Sequence, residues 1–356
     1  MGYIKEELER RKVPDVLTFA DGTRLTDKND WERRRLEIVE TIAENMFGHV
    51  PPSCPIEVEE TFFTEKKLGG KMVYKKYLLK ANTPNGEVSF PFYQFMPKAK
   101  TNVPTFIHIA FQPSAPWSYC PVETILDRGY GIVMAYYEDI TSDDGDFTTG
   151  IASAFPRDKF DCSKISLWSW AVSRMMDHVQ TLDFVNKDKI AVIGHSRLGK
   201  TSLWTGANDT RFSFVCANNS GCSGDAISRG KIGETVEKIY NRFPYWFVPK
   251  YSEYANNEDT MPFDQHFLIA ASAPRKVCTA AAVLDEWADP QSQLLSCSAA
   301  SPVYELLGMK GFICEDRPTV PGDTYQEGSI GHHMSNYGHL LGIYDWNKYM
   351  DFIDKN

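Results

Sequence analysis

The chain has 356 residues, 42% of them hydrophobic and 24% charged, with a formal net charge of -9. That acidic balance argues against non-specific binding to nucleic acid or to an anionic membrane surface. No apolar run approaches the roughly 20 residues that span a bilayer.

The length suits a large α/β enzyme with one core, and no repeat or low-complexity linker interrupts it. One domain over 1–356 is therefore expected, with 1–55 as an N-terminal helical extension packed on that core. The opening residues, Met1-Gly2-Tyr3-Ile4-Lys5-Glu6-Glu7, lack the pattern of a signal peptide. Thr26 is placed to cap a helix over 27–47, in which Leu36, Val39, Ile42 and Met46 recur at helical spacing. Alternating strands are predicted over 57–63, 72–79 and 88–95, with Asn85-Gly86 as a hairpin turn before the last. From 103 the rhythm changes. Short apolar strands over 104–110, 131–137, 190–193, 214–217 and 277–284 are separated by helical segments, the clearest over 168–185. Alternating β and α elements imply a parallel, doubly wound sheet. A last helix is expected over 345–354, capped by Asp345. The eight cysteines are scattered with no C-x-x-C pair, which points to buried free thiols and away from a metal or redox site.

The most informative stretch is Ala191-Val192-Ile193-Gly194-His195-Ser196-Arg197-Leu198-Gly199-Lys200. An apolar β-branched run ends in Gly-His-Ser and a helix-like segment follows. A serine on such a strand–turn–helix elbow is lifted out of the sheet, open to a base on one side and to backbone N–H groups on the other. The second glycine, Gly199, comes one residue later than in Gly-x-Ser-x-Gly. Arg197 and Lys200 occupy the first helical turn, where cations oppose the helix dipole, and this points to an anion nearby. An antiparallel start, a parallel continuation and a serine at a sharp turn make up the α/β-hydrolase layout: a three-layer sandwich with a mostly parallel central sheet.

A serine hydroxyl needs a base, and the base needs an orienting acid; in this layout the chain order is Ser, acid, His. The strand over 277–284 runs into Asp285-Glu286-Trp287-Ala288-Asp289-Pro290, where three carboxylates compete. Asp285 stands directly at the strand end and is favoured, Asp289 before Pro290 reads as a turn or cap, and Glu286 is the third candidate. Of the histidines before the last helix, His339 is favoured, with His332 and His333 as rim residues. His195 adjoins Ser196, but neighbours on a tight turn point apart, so it makes a poor base. His49, His108, His178 and His266 fit no metal spacing, and Asp264-Gln265-His266 reads as a structural turn. Tyr245-Trp246-Phe247, with Tyr240, Tyr251 and Tyr254, serves either as cleft wall or as core.

These motifs together resemble bacterial glucuronoyl esterases, carbohydrate esterase family 15. The resemblance is carried by Gly194-His195-Ser196-Arg197-Leu198-Gly199-Lys200, Asn218-Asn219-Ser220-Gly221, Gly233-Glu234-Thr235-Val236, Phe243-Pro244-Tyr245-Trp246-Phe247 and Asp285-x-Trp287-Ala288-Asp289-Pro290. It is supported by Asp30-Trp31-Glu32-Arg33-Arg34-Arg35 near one end and His339…Asp345-Trp346 near the other. The resemblance implies a serine esterase without metal or cofactor, cleaving esters between 4-O-methyl-glucuronic acid on xylan and lignin alcohols. It implies Ser196 as nucleophile, His339 as base, and Arg197 as oxyanion stabiliser through its N–H and guanidinium. It further implies that Lys200, Trp287 and Glu234 bind the sugar. Fungal members carry a triad glutamate at the position of Asn219, and an amide cannot act as the anion, which strengthens the case for Asp285. They also carry paired cysteines at the positions of His195 and Leu340, so that disulfide is impossible here. A monomer acting in a secreted or periplasmic location is expected. The competing readings are an acetylxylan or other carbohydrate ester hydrolase of the same fold, and a catalytically silent carbohydrate-binding homologue.

Overall fold

The computed structural model describes residues 2–356. Three antiparallel strands, β1 (Ile56–Thr64), β2 (Met72–Thr83) and β3 (Gly86–Pro97), open the sheet, and the β2–β3 hairpin turns ahead of Gly86 as the Asn-Gly signal predicts. They are followed by β4 (Val103–Ala110), β5 (Gly131–Tyr136), β6 (Val185–His195), β7 (Phe214–Asn218), β8 (Lys276–Ala282), β9 (Thr324–Tyr325) and β10 (Ile330–Ser335). All lie in one sheet in the order β1-β2-β3-β5-β4-β6-β7-β8-β10-β9. Neighbours from β5 through β10 are parallel, while β3 joins β5 and β9 joins β10 antiparallel. The inner strands are near-continuous apolar runs because helices cover both faces. Trp168, Trp170, Met175 and Trp204 fill the core on one face. Phe106, Ile193, Trp346 and Tyr349 fill it on the other. This is the α/β-hydrolase fold.

Several elements differ from the sequence reading. Thr26 caps nothing: Asp27 accepts from Asn29 N and opens a short 3-10 turn, the α-helix runs Trp31–Ile42, and a π-turn Ala43–Phe47 completes the segment. The helix placed at 168–185 is Lys164–Val179, capped by the Ser163 side chain. Val185 pairs with Val103 in the sheet, so strand pairing takes residues that continue the helical pattern. The last helix is Ile343–Lys355 with Gly342 at its cap; Asp345 sits inside the first turn and accepts from Gly342 N at 2.8 Å. Strands β9 and β10 were not expected at all. The N-terminal segment lies on the helices: Trp31 Nε1 donates to Ala273 O at 3.1 Å, and buried Arg11 donates to Ser292 Oγ at 2.7 Å.

The parallel strands all point their C-terminal ends one way. That end gathers Phe111 after β4, Asp143 beyond β5, Ser196 after β6, Asn219 after β7, Asp285 beyond β8 and His339 beyond β10. Open α/β sheets bind ligands at this end.

Candidate active site

β6 ends at His195 and the helix Arg197–Asn208 begins two residues later, so Ser196 alone makes the turn, at φ 58° and ψ -124°. A non-glycine residue there is held by its surroundings against backbone strain. Gly194 permits it: a Cβ at that position would lie 2.1 Å from Leu198 O. Gly199 has its own reason, since its Cβ would stand 2.9 Å from Ser220 Cβ where the helix crosses the loop after β7. Ser196 N donates to Asn218 O at 2.9 Å, and Gly199 and Lys200 N–H return to Ser196 O. The Arg197 N–H, first in the helix, has no acceptor among the described residues. It is one of the free donors that every helix start leaves.

His339 Nδ1 donates to Asp285 Oδ2 at 2.7 Å, and Asn219 Nδ2 donates to the same oxygen at 3.1 Å. Burial raises the Asp285 carboxyl, but the hydrogen bond and charge of His339, with Asn219 behind them, outweigh it and hold the group below the usual carboxylate range. With its Nδ1 proton committed, the imidazole has Nε2 free to accept. β8 stops at Ala282, short of the expected end, so Asp285 is turned inward by a loop in which its N–H donates to Ala282 O. The rival carboxylates have other places. Asp289 caps the helix Pro290–Leu306, accepting from Ser292 N at 3.1 Å and from Ile232 N at 3.0 Å, and Glu286 is exposed.

His332 and His333 are not rim residues. Both are fully buried on β10, His332 Nδ1 bonding Thr279 Oγ1 at 2.8 Å and His333 Nε2 donating to Asp345 at 3.0 Å. The parallel pairing of β10 with β8 draws them into the sheet. His195 is buried too, its Nδ1 donating to Asn218 Oδ1 at 2.5 Å, and burial followed by the nearby His339 charge pushes its pKa down to about 3. It stays neutral, with its ring 4.3 Å from that of His339.

The anion implied by Arg197 and Lys200 is partly the protein's own. The Arg197 guanidinium pairs with buried Asp143, which also accepts from Trp246 Nε1 at 2.7 Å. Three rings enclose that guanidinium: Trp246 at 4.6 Å, Phe243 at 5.2 Å and Phe111 at 5.6 Å. Lys200 is buried and donates to Ser220 O; burial pulls its pKa down, opposed chiefly by Glu234. Trp287 is 50% exposed with Lys238 Nζ 5.0 Å over its ring. All of the sequence-derived candidates, Ser196, Arg197, Lys200, Glu234, Asp285, Trp287 and His339, line one cavity of about 320 Å³.

Sequence reading missed Asp143 and the role of Asn219 as a second donor to Asp285. The acidic loop Ser142-Asp143-Asp144-Gly145-Asp146 directly beyond β5 was the available signal for the first. In the aromatic stretch, Trp246 reaches the cavity, whereas Phe247, Tyr251 and Tyr254 are core. No group of three or more potential metal-ligating side chains occurs among the described residues, and all eight cysteines are unbridged.

A serine elbow, an imidazole held by a carboxylate and a free helix N–H on this fold are the parts that a serine hydrolase uses. The family model described as glucuronyl esterase, fungi, matches residues 87–308. Carbohydrate esterase MZ0003 from an unknown prokaryotic organism is 31% identical, over 99% of this chain and 91% of that protein. The solved glucuronoyl esterase from Solibacter usitatus is 31% identical with a TM-score of 0.87, covering 96% of this chain and 97% of that one. The 4-O-methyl-glucuronoyl methylesterase 1 of Wolfiporia cocos is 28% identical over 85% of this chain and 73% of its own length. The chain belongs to the glucuronoyl esterase family, carbohydrate esterase family 15.

Proposed function

We propose that this esterase hydrolyses esters of glucuronic acid carried on xylan, including those to lignin alcohols, through an acyl-enzyme on Ser196. The observation that carries this reading is the shared cavity: the His339–Asp285 pair and Ser196 face the same space as Lys200, Glu234 and Trp287. In the first step Ser196 Oγ attacks the ester carbonyl carbon as His339 Nε2 takes its proton. The oxyanion that forms receives the Arg197 N–H, with the guanidinium as the adjacent positive charge; a donor bearing charge bonds more strongly than a neutral one. His339 then passes the proton to the alcohol oxygen as that bond breaks. Water, deprotonated by His339, then attacks the acyl carbon; the bond to Ser196 Oγ breaks as that oxygen takes the proton back from His339, and the acid is released. Lys200 and Glu234 offer a donor and an acceptor for ring hydroxyls, and Trp287 a flat wall for the sugar ring. Xylan and lignin lie outside the cell, so the enzyme acts as a secreted or periplasmic protein.

The test is turnover of benzyl glucuronate by wild type and Ser196→Ala, beside release of acetate from acetylated xylan. Wild type is expected to cleave the glucuronate far better than the acetyl ester, and Ser196→Ala to be inactive on both. Preference for acetylated xylan would instead assign the enzyme to deacetylation, and a wild type inert to both esters and to a fluorophosphonate probe would remove the catalytic reading.

A further inference from the structure

The N-terminal segment reaches beneath the loop that brings Glu234 to the cavity. We propose that Arg11 is a positioning residue for the sugar side of the site: it touches no substrate, but fixes the stretch 228–234 from below. The proposal rests on the reading above in which Glu234 binds the sugar.

Arg11 closes the helix Tyr3–Arg10, and its side chain is buried. Its Nη1 donates to two acceptors, Ser292 Oγ at 2.7 Å and Arg229 O at 3.3 Å. The Ser292 hydroxyl passes the contact on. It donates to Asp289 Oδ2 at 2.5 Å, and the same carboxylate oxygen accepts from Ile232 N at 3.0 Å. One guanidinium therefore meets the stretch at Arg229 directly, and at Ile232 through a serine and a carboxylate. Its stem packs there too: Gly230 has φ +65°, and a Cβ on it would lie 3.2 Å from Arg11 Cγ. Glu234 follows Ile232 by two residues.

The place is unfavourable for a cation on its own account. Ser292 lies in the first turn of the helix Pro290–Leu306, where the helix dipole repels positive charge, and a buried charge needs partners. Glu7 Oε2, 3.3 Å from Arg11 Nε, is one anion, and Asp289, across Ser292, is the other. Asp289 is thus balanced by Arg11 on one side while it holds Ile232 N on the other. The stretch contains two glycines in the left-handed region, Gly230 at +65° and Gly233 at +72°, and glycine takes other conformations about as readily. Its shape is set by these anchors, together with Lys231 Nζ, which donates to Trp287 O at 3.1 Å. Arg11→Met keeps a stem against Gly230 but removes the guanidinium, which deprives Asp289 of its counter-charge and Arg229 O of that donor. Glu234 then loses its fixed place beside Trp287.

The experiment measures kcat and KM for benzyl glucuronate and benzyl acetate, which share an alcohol and differ only on the acyl side. The proteins are wild type, Arg11→Met, Ser292→Ala, Glu234→Ala and the double variant Arg11→Met/Glu234→Ala. Glu234→Ala is expected to raise the glucuronate KM by about tenfold or more. Arg11→Met should raise it by about fivefold with kcat within about twofold, because binding lost equally in ground and transition states shows in KM. It should leave kcat/KM for benzyl acetate unchanged. Ser292→Ala, which cuts the relay to Asp289, should act in the same direction as Arg11→Met. In the double variant the Arg11 change should add nothing to the Glu234→Ala loss, whereas a residue that only stabilises the fold would slow both esters and add its effect in full. An unchanged glucuronate KM in Arg11→Met overturns the proposal, as does an equal loss on the acetate or full additivity in the double variant. If Arg11→Met does not fold, Ser292→Ala decides by the same readings. If Glu234→Ala raises the KM and Arg11→Met does not, the sugar reading stands and this proposal alone falls. If Glu234→Ala changes nothing, or wild type cleaves no glucuronate, the sugar reading fails and the proposal falls with it.

Discussion

Asp285 is oriented by donors from two separate loops, His339 from beyond β10 and Asn219 from the end of β7, and both reach the same carboxylate oxygen. Replacing that carboxylate by an amide offers His339 a donor in place of an acceptor and reverses the imidazole tautomer. Asp285→Asn is therefore expected to lower kcat by about 10⁴-fold while the fold is retained. Asp289→Asn should leave kcat nearly unchanged and cost about 1 kcal/mol of stability as a weakened helix cap; the two variants, assayed side by side for kcat and urea midpoint, separate the acid from the cap. Asp143 is the other residue whose weight is out of proportion to its prominence in the sequence. It ties the Arg197 guanidinium to Trp246 beside Ser196. Asp143→Asn keeps the shape but removes the charge that fixes Arg197. In the proposed mechanism Arg197 serves the oxyanion, and misplacement of such a group costs on the order of 10²-fold, so kcat should fall by about that factor with KM changing little. A loss confined to KM would assign Asp143 to binding.

Among the elements, the join between β6 and the helix Arg197–Asn208 concentrates the most constraint in the fewest residues. Ser196 holds a positive φ, Gly194 leaves room for Leu198 O, and Gly199 lets the helix reach Ser220. Gly194→Ala places a methyl group where backbone already stands, and it should cost about 1–3 kcal/mol of stability while abolishing esterase activity, since any relief must rotate the turn that presents Ser196. Denaturation midpoint and kcat on one preparation check this together; full activity would mean the elbow tolerates what the distances forbid. The loop 231–234 and the loop after β8 form a second join. Gly233, at φ +72°, lies so close to Glu286 O and Trp287 O that a Cβ would stand 2.6 Å from each. That contact sets Glu234 beside Trp287 at the cavity, with Glu234 N donating to Trp287 O at 2.9 Å.

Across the molecule as a whole, the folded core buries titratable groups that answer to pH. Burial pushes His108 and His266 down to about 4, and His195 and His332 down to about 3. In the unfolded chain these imidazoles titrate near 6.5, so between the two values the unfolded state binds more protons. Stability is then complete above about pH 6.5 and is lost as pH falls, by about 1.4 kcal/mol per pH unit for each such group. Asp225 opposes this: burial raises it to about 6, so its contribution declines as pH rises through that value. The imidazoles outnumber it, and the urea midpoint should drop markedly from pH 7 to pH 5, with His332→Gln flattening the dependence; equal midpoints at the two values would contradict the sign. The strand–elbow–helix around Ser196 and the order serine, acid, histidine were legible along the chain, because β-branched runs, paired glycines and short turns write their geometry into adjacent residues. The burial of His332 and His333, the pairing of Asp143 with Arg197 and the second donor that Asn219 gives Asp285 were not. Each of these joins residues remote in the chain, and each depends on which loops come to lie side by side where the parallel strands end, a matter settled by sheet order and packing.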